Sequence, residues 1–251
     1  MAHPAGRIFT RTWRPAAECS SPIVLFHDSL GCVELWRDFP EALAARTGRC
    51  VVAYDRLGFG KSDARRGRPG LDFVGEEAAV YFPALREQLG IGRFVAFGHS
   101  VGGGMAVHCA ARFASECDAV ITESAQAFVE PRTVEGIAAV RDQFLQPGQM
   151  ARLEKYHGGK AAWVLDAWTG TWLDAAFASW SLDAVLPAVG RPLLAIHGDR
   201  DEYGSLEQPA RIAALAGGPS RVEVMTETAH VPHREREEAV VRLVTSFLES
   251  V

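Results

Sequence analysis

The chain has 251 residues, enough to bury the core of one large domain. A formal net charge of -5 argues against a nucleic-acid partner, whose usual footprint is a basic surplus. With 48% hydrophobic and 23% charged residues, the composition is that of an ordinary globular protein. Met1 to Pro15 lacks the apolar run of a secretory signal, and no apolar stretch approaches the roughly 20 residues of a membrane span. These features set the expectation of a cytoplasmic protein without membrane attachment.

Five cysteines, Cys19, Cys32, Cys50, Cys109 and Cys117, are scattered and show no C-x-x-C spacing. Reduced, buried thiols are therefore expected, and neither a structural zinc nor any other metal or cofactor is implied.

In chain order, the apolar runs Ile23–His27, Cys50–Tyr54, Phe94–Gly98, Ala119–Thr122, Leu193–His197 and Arg221–Met225 read as strands. They are continuous, not alternating, which suits strands buried on both faces of a parallel sheet. A further segment near Arg7–Trp13 reads as an edge strand. Between them, Trp36, Phe39 and Leu43 share a helical face, as do Ala78, Tyr81, Phe82, Leu85 and Leu89, with Pro83 as a kink. A final helix carries Val240, Val244, Phe247 and Leu248 after the charged start Arg234–Glu238. The alternation predicts an α/β fold, doubly wound around a mostly parallel sheet.

From about Ala127 to Pro187 the alternation stops. Val134–Leu145, Gln149–Tyr156, Lys160–Trp168 and Thr171–Trp180 read as successive helices, carrying four of the six tryptophans. The expected division is a core of residues 1–126 and 188–251 with a helical insertion, 127–187, acting as a lid over the strand ends where such sheets bind ligands. Trp163, Trp168 and Trp172, with His99, are candidate pocket residues. Arg132, Arg141, His157 and Lys160 are charged lid residues that could contact an acidic substrate, although solvation is their commoner fate.

Gly98-His99-Ser100-Val101-Gly102 fits G-x-S-x-G, the strand-to-helix turn that exposes a serine hydroxyl. With 24 glycines in the chain the bare pattern is weak, but it follows the apolar run Phe94–Phe97 and opens a helical stretch, as the chemistry requires. A serine hydroxyl needs a base, and the base an orienting carboxylate. His230 emerges after the last strand, at the rim where Ser100 lies, and is favoured over His233. Asp201, just beyond the strand ending at Gly198, is the first choice of acid; Asp199 is second and Glu123 third.

His27-Asp28-Ser29-Leu30-Gly31, Tyr54-Asp55-Arg56-Leu57-Gly58-Phe59-Gly60-Lys61-Ser62, Gly98–Gly102, Gly198-Asp199-Arg200-Asp201 and His230-Val231-Pro232-His233 together resemble the motif series of the α/β-hydrolase fold superfamily, in its order and over nearly the whole chain. The resemblance implies a carboxylesterase-like serine hydrolase with a Ser100, Asp201 and His230 triad and a cap inserted after the sixth strand. It implies an oxyanion hole from the backbone N–H groups of Ser29 and Val101, and a structural role for Asp55 and Ser62. The serine at the elbow disfavours the dehalogenase and epoxide-hydrolase chemistries that similar proteins perform with aspartate. Asp28 replaces the commoner glycine and is expected to point away from the oxyanion site. The expected substrate is a small or medium carboxylic ester, a small-molecule acyl partner, with lactones, thioesters and carbon–carbon bonds open on the same triad; a homodimer is also left open. A ligand-binding receptor or slow-turnover sensor that keeps the hydrolase pocket is the rival from another class, and kinetics separates the two.

Overall fold

The computed structural model describes residues 1–15 and 21–251. A short hairpin, β1 (Ala2–His3) and β2 (Gly6–Arg7), precedes the strands β3 (Thr10–Trp13), β4 (Ile23–Phe26), β5 (Val51–Tyr54), β6 (Phe94–His99), β7 (Cys117–Glu123), β8 (Leu193–Gly198) and β9 (Ser220–Met225). The last seven form one sheet in the order β3-β5-β4-β6-β7-β8-β9, parallel except for the antiparallel edge β3. Every expected strand is present.

Side-chain alternation along the strands divides the core into two layers. Val24, Phe26, Val52, Tyr54, Ala96 and Val120 face one side, where α3 (Phe82–Leu89) and α4 (Val101–Arg112) cover them. Ile23, Leu25, Val51, Val95, Phe97, Ile121 and Ile196 face the other, beneath α1 (Phe39–Thr47) and α10 (Glu237–Glu249). β4 through β8 are buried on both faces, as continuous apolar runs require. β9 departs from that expectation: it is the outer strand, and Val222 and Val224 are exposed.

The remaining helices are α2 (Phe73–Glu76), α5 (Pro131–Phe144), α6 (Gln149–His157), α7 (Ala161–Trp172), α8 (Glu207–Leu215) and α9 (Pro232–Glu235). The kink expected at Pro83 takes the form of a π-helical turn, Glu77–Tyr81, which ends where Pro83 enters the first turn of α3. The turn buries Glu77, whose carboxylate accepts the Tyr54 hydroxyl at 2.7 Å.

α5, α6 and α7 occupy the interval between β7 and β8. That is after the fifth strand of the main sheet in chain order. The expected helix over Thr171–Trp180 is absent: α7 runs on to Trp172, and only a 3-10 turn, Ala175–Phe177, follows. The two ends of the interval are pinned together by a bridge between Phe128 and Ser181 and by the Leu182 N–H on the Ala127 carbonyl.

Cys32, Cys109 and Cys117 are buried free thiols. Cys50 is disulfide-bonded, which corrects its reading as reduced; Cys19 lies outside the described residues. Among the described residues no helix is long and apolar enough to cross a membrane.

Candidate active site

The chain runs from β4 to its neighbour β5, then returns to add β6 on the opposite side of β4. Such a reversal leaves a crevice between the carboxyl ends of the two strands, where α/β sheets bind ligands. The loop after β4 and the turn after β6 meet there.

That turn carries Ser100 with φ 56° and ψ -128°, a conformation costly for any side-chain-bearing residue. The neighbouring glycines make it attainable. A Cβ at Gly98 would meet the Gly102 carbonyl oxygen at 1.9 Å, and one at Gly102 would meet that of Phe26 at 2.1 Å. Ser100 is thereby presented at the N-terminus of α4, where the first N–H groups lack intrahelical partners and the helix dipole favours negative charge. Val101 is the first residue of that helix. The Ser100 hydroxyl lies 3.4 Å from Gln126 Oε1.

His230 sits between β9 and α9. Its Nδ1–H faces both carboxylate oxygens of Asp201, at 2.9 and 2.8 Å. Asp201 is buried after β8 and also accepts the N–H groups of Tyr203 and Gly204. Burial raises its pKa, but the charge and hydrogen bond of His230, His197 nearby and the Tyr203 N–H outweigh this and hold it below the ordinary value. Of the other candidates, Asp199 is exposed and accepts the Thr228 N–H. Glu123 is buried and takes the Nδ1–H of His233 at 2.5 Å, so these two form a separate pair.

The His230 backbone is held from both sides: its N–H donates to Glu202 at 3.2 Å and its carbonyl accepts His99 Nε2–H at 2.8 Å. The loop after β4 is fixed as firmly. His27 Nδ1–H and Arg56 Nη2 both donate to the Asp28 carbonyl at 2.8 Å, while His27 Nε2 accepts the Arg56 N–H at 3.1 Å. Because a trans peptide points its C=O and N–H in opposite directions, these bonds also fix the Ser29 N–H. Asp28 does not turn away from the site as expected. It lines the cavity, with Oδ1 on the Leu30 N–H and Oδ2 beside His99.

Ser100, His230, Ser29, His99 and Trp168 line a cavity of about 240 Å³, together with Tyr203, Glu202 and Arg234. A smaller recess of about 20 Å³ adjoins Ser100, His230 and Ser29 and is closed by Gln126, Thr133, Ile137, Trp168, Trp172 and Tyr203. Trp168 and Trp172 thus stand at the site. Trp163 does not. It packs edge-on against Phe59 at 5.5 Å and over Gly58, and its indole N–H donates to the Gly67 carbonyl. The i, i+5 step from Trp163 to Trp168 turns the two indoles to different faces of α7.

The charged residues of the insertion also serve the scaffold. His157 bridges the Gly60 N–H and the Leu30 carbonyl, Lys160 donates to the Gly60 and Ser62 carbonyls, Arg132 donates to the Asp201 carbonyl, and Arg141 pairs with Asp142. Asp55 accepts the Val33 and Lys61 N–H groups and Ser62 donates to the Asp55 carbonyl, a structural arrangement. Gln126, Thr133, Tyr203, Glu202 and Arg234 are site residues that sequence reasoning missed. Only Glu202 and Tyr203, one and two residues past the acid candidate, carried a positional signal.

The family model described as the alpha/beta hydrolase fold matches residues 21–178. A (Lyso)-N-acylphosphatidylethanolamine lipase from Mus musculus is 32% identical over 100 residues, 40% of this chain and 29% of that protein. A proline iminopeptidase from Lactobacillus helveticus is 33% identical over 86 residues, 34% of this chain and 29% of that protein. The matched segments therefore span under a third of those relatives. The enol-lactonase from Burkholderia xenovorans LB400 superposes with a TM-score of 0.76 at 22% identity, covering 99% of both chains, a likeness of fold. The chain belongs to the α/β-hydrolase fold family.

Proposed function

We propose that this protein is a serine hydrolase that cleaves a small or medium carboxylic ester through an acyl-serine intermediate, with Ser100 as nucleophile, His230 as general base and Asp201 as the residue that fixes the base. The observation that carries the reading is the grip of both Asp201 oxygens on His230 Nδ1, beside a serine held in a strained elbow on the same cavity. With Nδ1 protonated by that contact, Nε2 is the basic nitrogen and can take the Ser100 proton.

Attack on the acyl carbonyl creates an oxyanion. The backbone N–H groups of Val101 and Ser29 stabilise it, each by about 3 kcal/mol. The protonated His230 then passes its proton to the departing alcohol. In the second half-reaction, water deprotonated by His230 releases the acid. The recess of about 20 Å³ has room for little more than a methyl-sized group, which favours the shortest acyl chains, and the cavity of about 240 Å³ suits a larger alcohol portion. Trp168 and Tyr203 line both spaces, and Trp172 lines the recess.

The test is hydrolysis of p-nitrophenyl esters of increasing acyl length by wild type and by Ser100→Ala. Turnover that favours short acyl chains and disappears in the variant is the expected result. A folded wild type that turns over none of them removes the simple-esterase reading.

A further inference from the structure

A carboxylate one residue before a proposed oxyanion donor opposes the charge the site must stabilise, unless a cation answers it. Asp28 is such a carboxylate. Its Oδ1 accepts the Leu30 N–H at 2.8 Å, and its Oδ2 lies 3.4 Å from Nδ1 of His99. His99 is buried at the end of β6, directly before Ser100, and its other nitrogen, Nε2, donates to the His230 carbonyl at 2.8 Å. Nε2 is thus spent on the carbonyl, while Nδ1, which makes no hydrogen bond, stands buried within ion-pair distance of a carboxylate. A neutral imidazole carries one N–H and can answer only one of these two groups, whereas an imidazolium answers both.

We propose that His99 is held as an imidazolium between Asp28 and the His230 carbonyl, a positioning residue that ties the Ser29 loop to the His230 loop and cancels the Asp28 charge beside the oxyanion site. The inference rests on the roles of Ser100, His230 and Asp201 proposed above. One strut then spans both halves of the machinery, since the same ring that neutralises the oxyanion loop also fixes the backbone of the base.

The surroundings favour this charge state. His99 is faced by Asp28 from the loop after β4, by Glu123 from the end of β7, and by the rings of His230 and His233 at 5.1 and 5.0 Å. Trp36 packs edge-on at 6.3 Å. Burial disfavours the cation, but the close approach of Asp28, the charges of Glu123 and Asp28 and the His230 carbonyl outweigh it and raise the His99 pKa. Asp28 moves the other way: burial opposes ionisation, yet His99 first, then Arg234 and His27, hold its pKa well below the carboxylate range. His233 is lowered by burial despite its bond to Glu123. The proton of this cluster thus belongs on His99.

The first test needs no substrate. In wild-type protein labelled with 15N-histidine, the ring signals of His99, assigned by their loss in His99→Gln, are expected to show two protonated nitrogens at pH 7. In Asp28→Asn one of those protons is expected to be lost. A His99 with a single ring proton in the wild type overturns the proposal.

The second test is kinetic, on an ester that the wild type hydrolyses. His99→Gln removes the cation that answers Asp28 first, and kcat is expected to fall roughly 10²-fold with KM little changed. The double variant Asp28→Asn with His99→Gln is expected to recover part of that loss, because the offending charge is gone. A double variant no better than His99→Gln reduces His99 to packing and contradicts the proposal. Labelling of Ser100 by a fluorophosphonate in the wild type keeps the questions apart: absence of labelling counts against the serine-hydrolase reading, while the ring-proton result still decides the state of His99.

Discussion

Asp201 meets His230 with both carboxylate oxygens on one ring nitrogen, at 2.9 and 2.8 Å, and it does so from a fully buried position. The contact sets the imidazole tautomer. Asp201→Asn keeps the shape but allows its amide to donate, which favours the wrong tautomer. The same change in a serine-protease triad lowers kcat by about 10⁴-fold, and a loss of that order in kcat/KM is expected here. Asp199→Asn, which alters an exposed side chain, is expected to leave the kinetics within about twofold.

The Asp201 contact also links stability to pH. The folded pKa of Asp201 lies below its ordinary value of 3.8. On acidification the unfolded chain therefore takes up that proton first. Stabilisation from the ionised form is complete above the unfolded pKa and is lost as pH falls through the folded one. The Tm difference between wild type and Asp201→Asn should be largest near neutrality and shrink below about pH 4. Thermal melts of both proteins across that range check the trend, and a gap that widens on acidification contradicts it.

Gly98 and Gly102 are fixed by backbone approach. Alanine at Gly102 would drive its Cβ to 2.1 Å from the Phe26 carbonyl oxygen, with no flexible side chain there to yield. Gly102→Ala is expected to cost at least about 3 kcal/mol in urea unfolding or to prevent folding. Alanine at Gly48, where φ is 66° but nothing lies within 4 Å, carries only conformational strain of about 1–2 kcal/mol.

Trp168 and Trp163 share α7 but belong to different parts of the molecule. Trp168 lines both the cavity and its inner recess, so Trp168→Ala is expected to raise KM and relax the preference for short acyl chains. Trp163 packs on Phe59 and Gly58. Trp163→Ala is expected to lower stability by roughly 2 kcal/mol while acyl preference stays as in the wild type.

The fold was legible because parallel strands buried on both faces have to be continuous apolar runs, and six such runs stand in the sequence. The edge position of β9 was not legible, since Val222 and Val224 read the same whether covered or exposed. Ser100, Asp201 and His230 were marked by their positions after strands. Of the pocket residues missed, only Glu202 and Tyr203, next to Asp201, shared that mark. Trp163, Trp168 and Trp172 look alike in sequence, and only the rotation of α7 shows which of them faces Ser100. Gln126 reaches the site from the loop after β7 and Arg234 from the single turn of α9, neither long enough to show a period. Asp28 was visible as a departure from the usual pattern, but its partner His99 lies 71 positions away in sequence and 3.4 Å away in space.

The most direct measurement is the intact mass of the protein after brief exposure to a fluorophosphonate, in wild type and in Ser100→Ala, with the modified peptide then sequenced. The account predicts one adduct per wild-type chain, carried by Ser100, and none on the variant. An unmodified wild type, or an adduct that persists on Ser100→Ala, would contradict the assignment of Ser100 as an activated nucleophile.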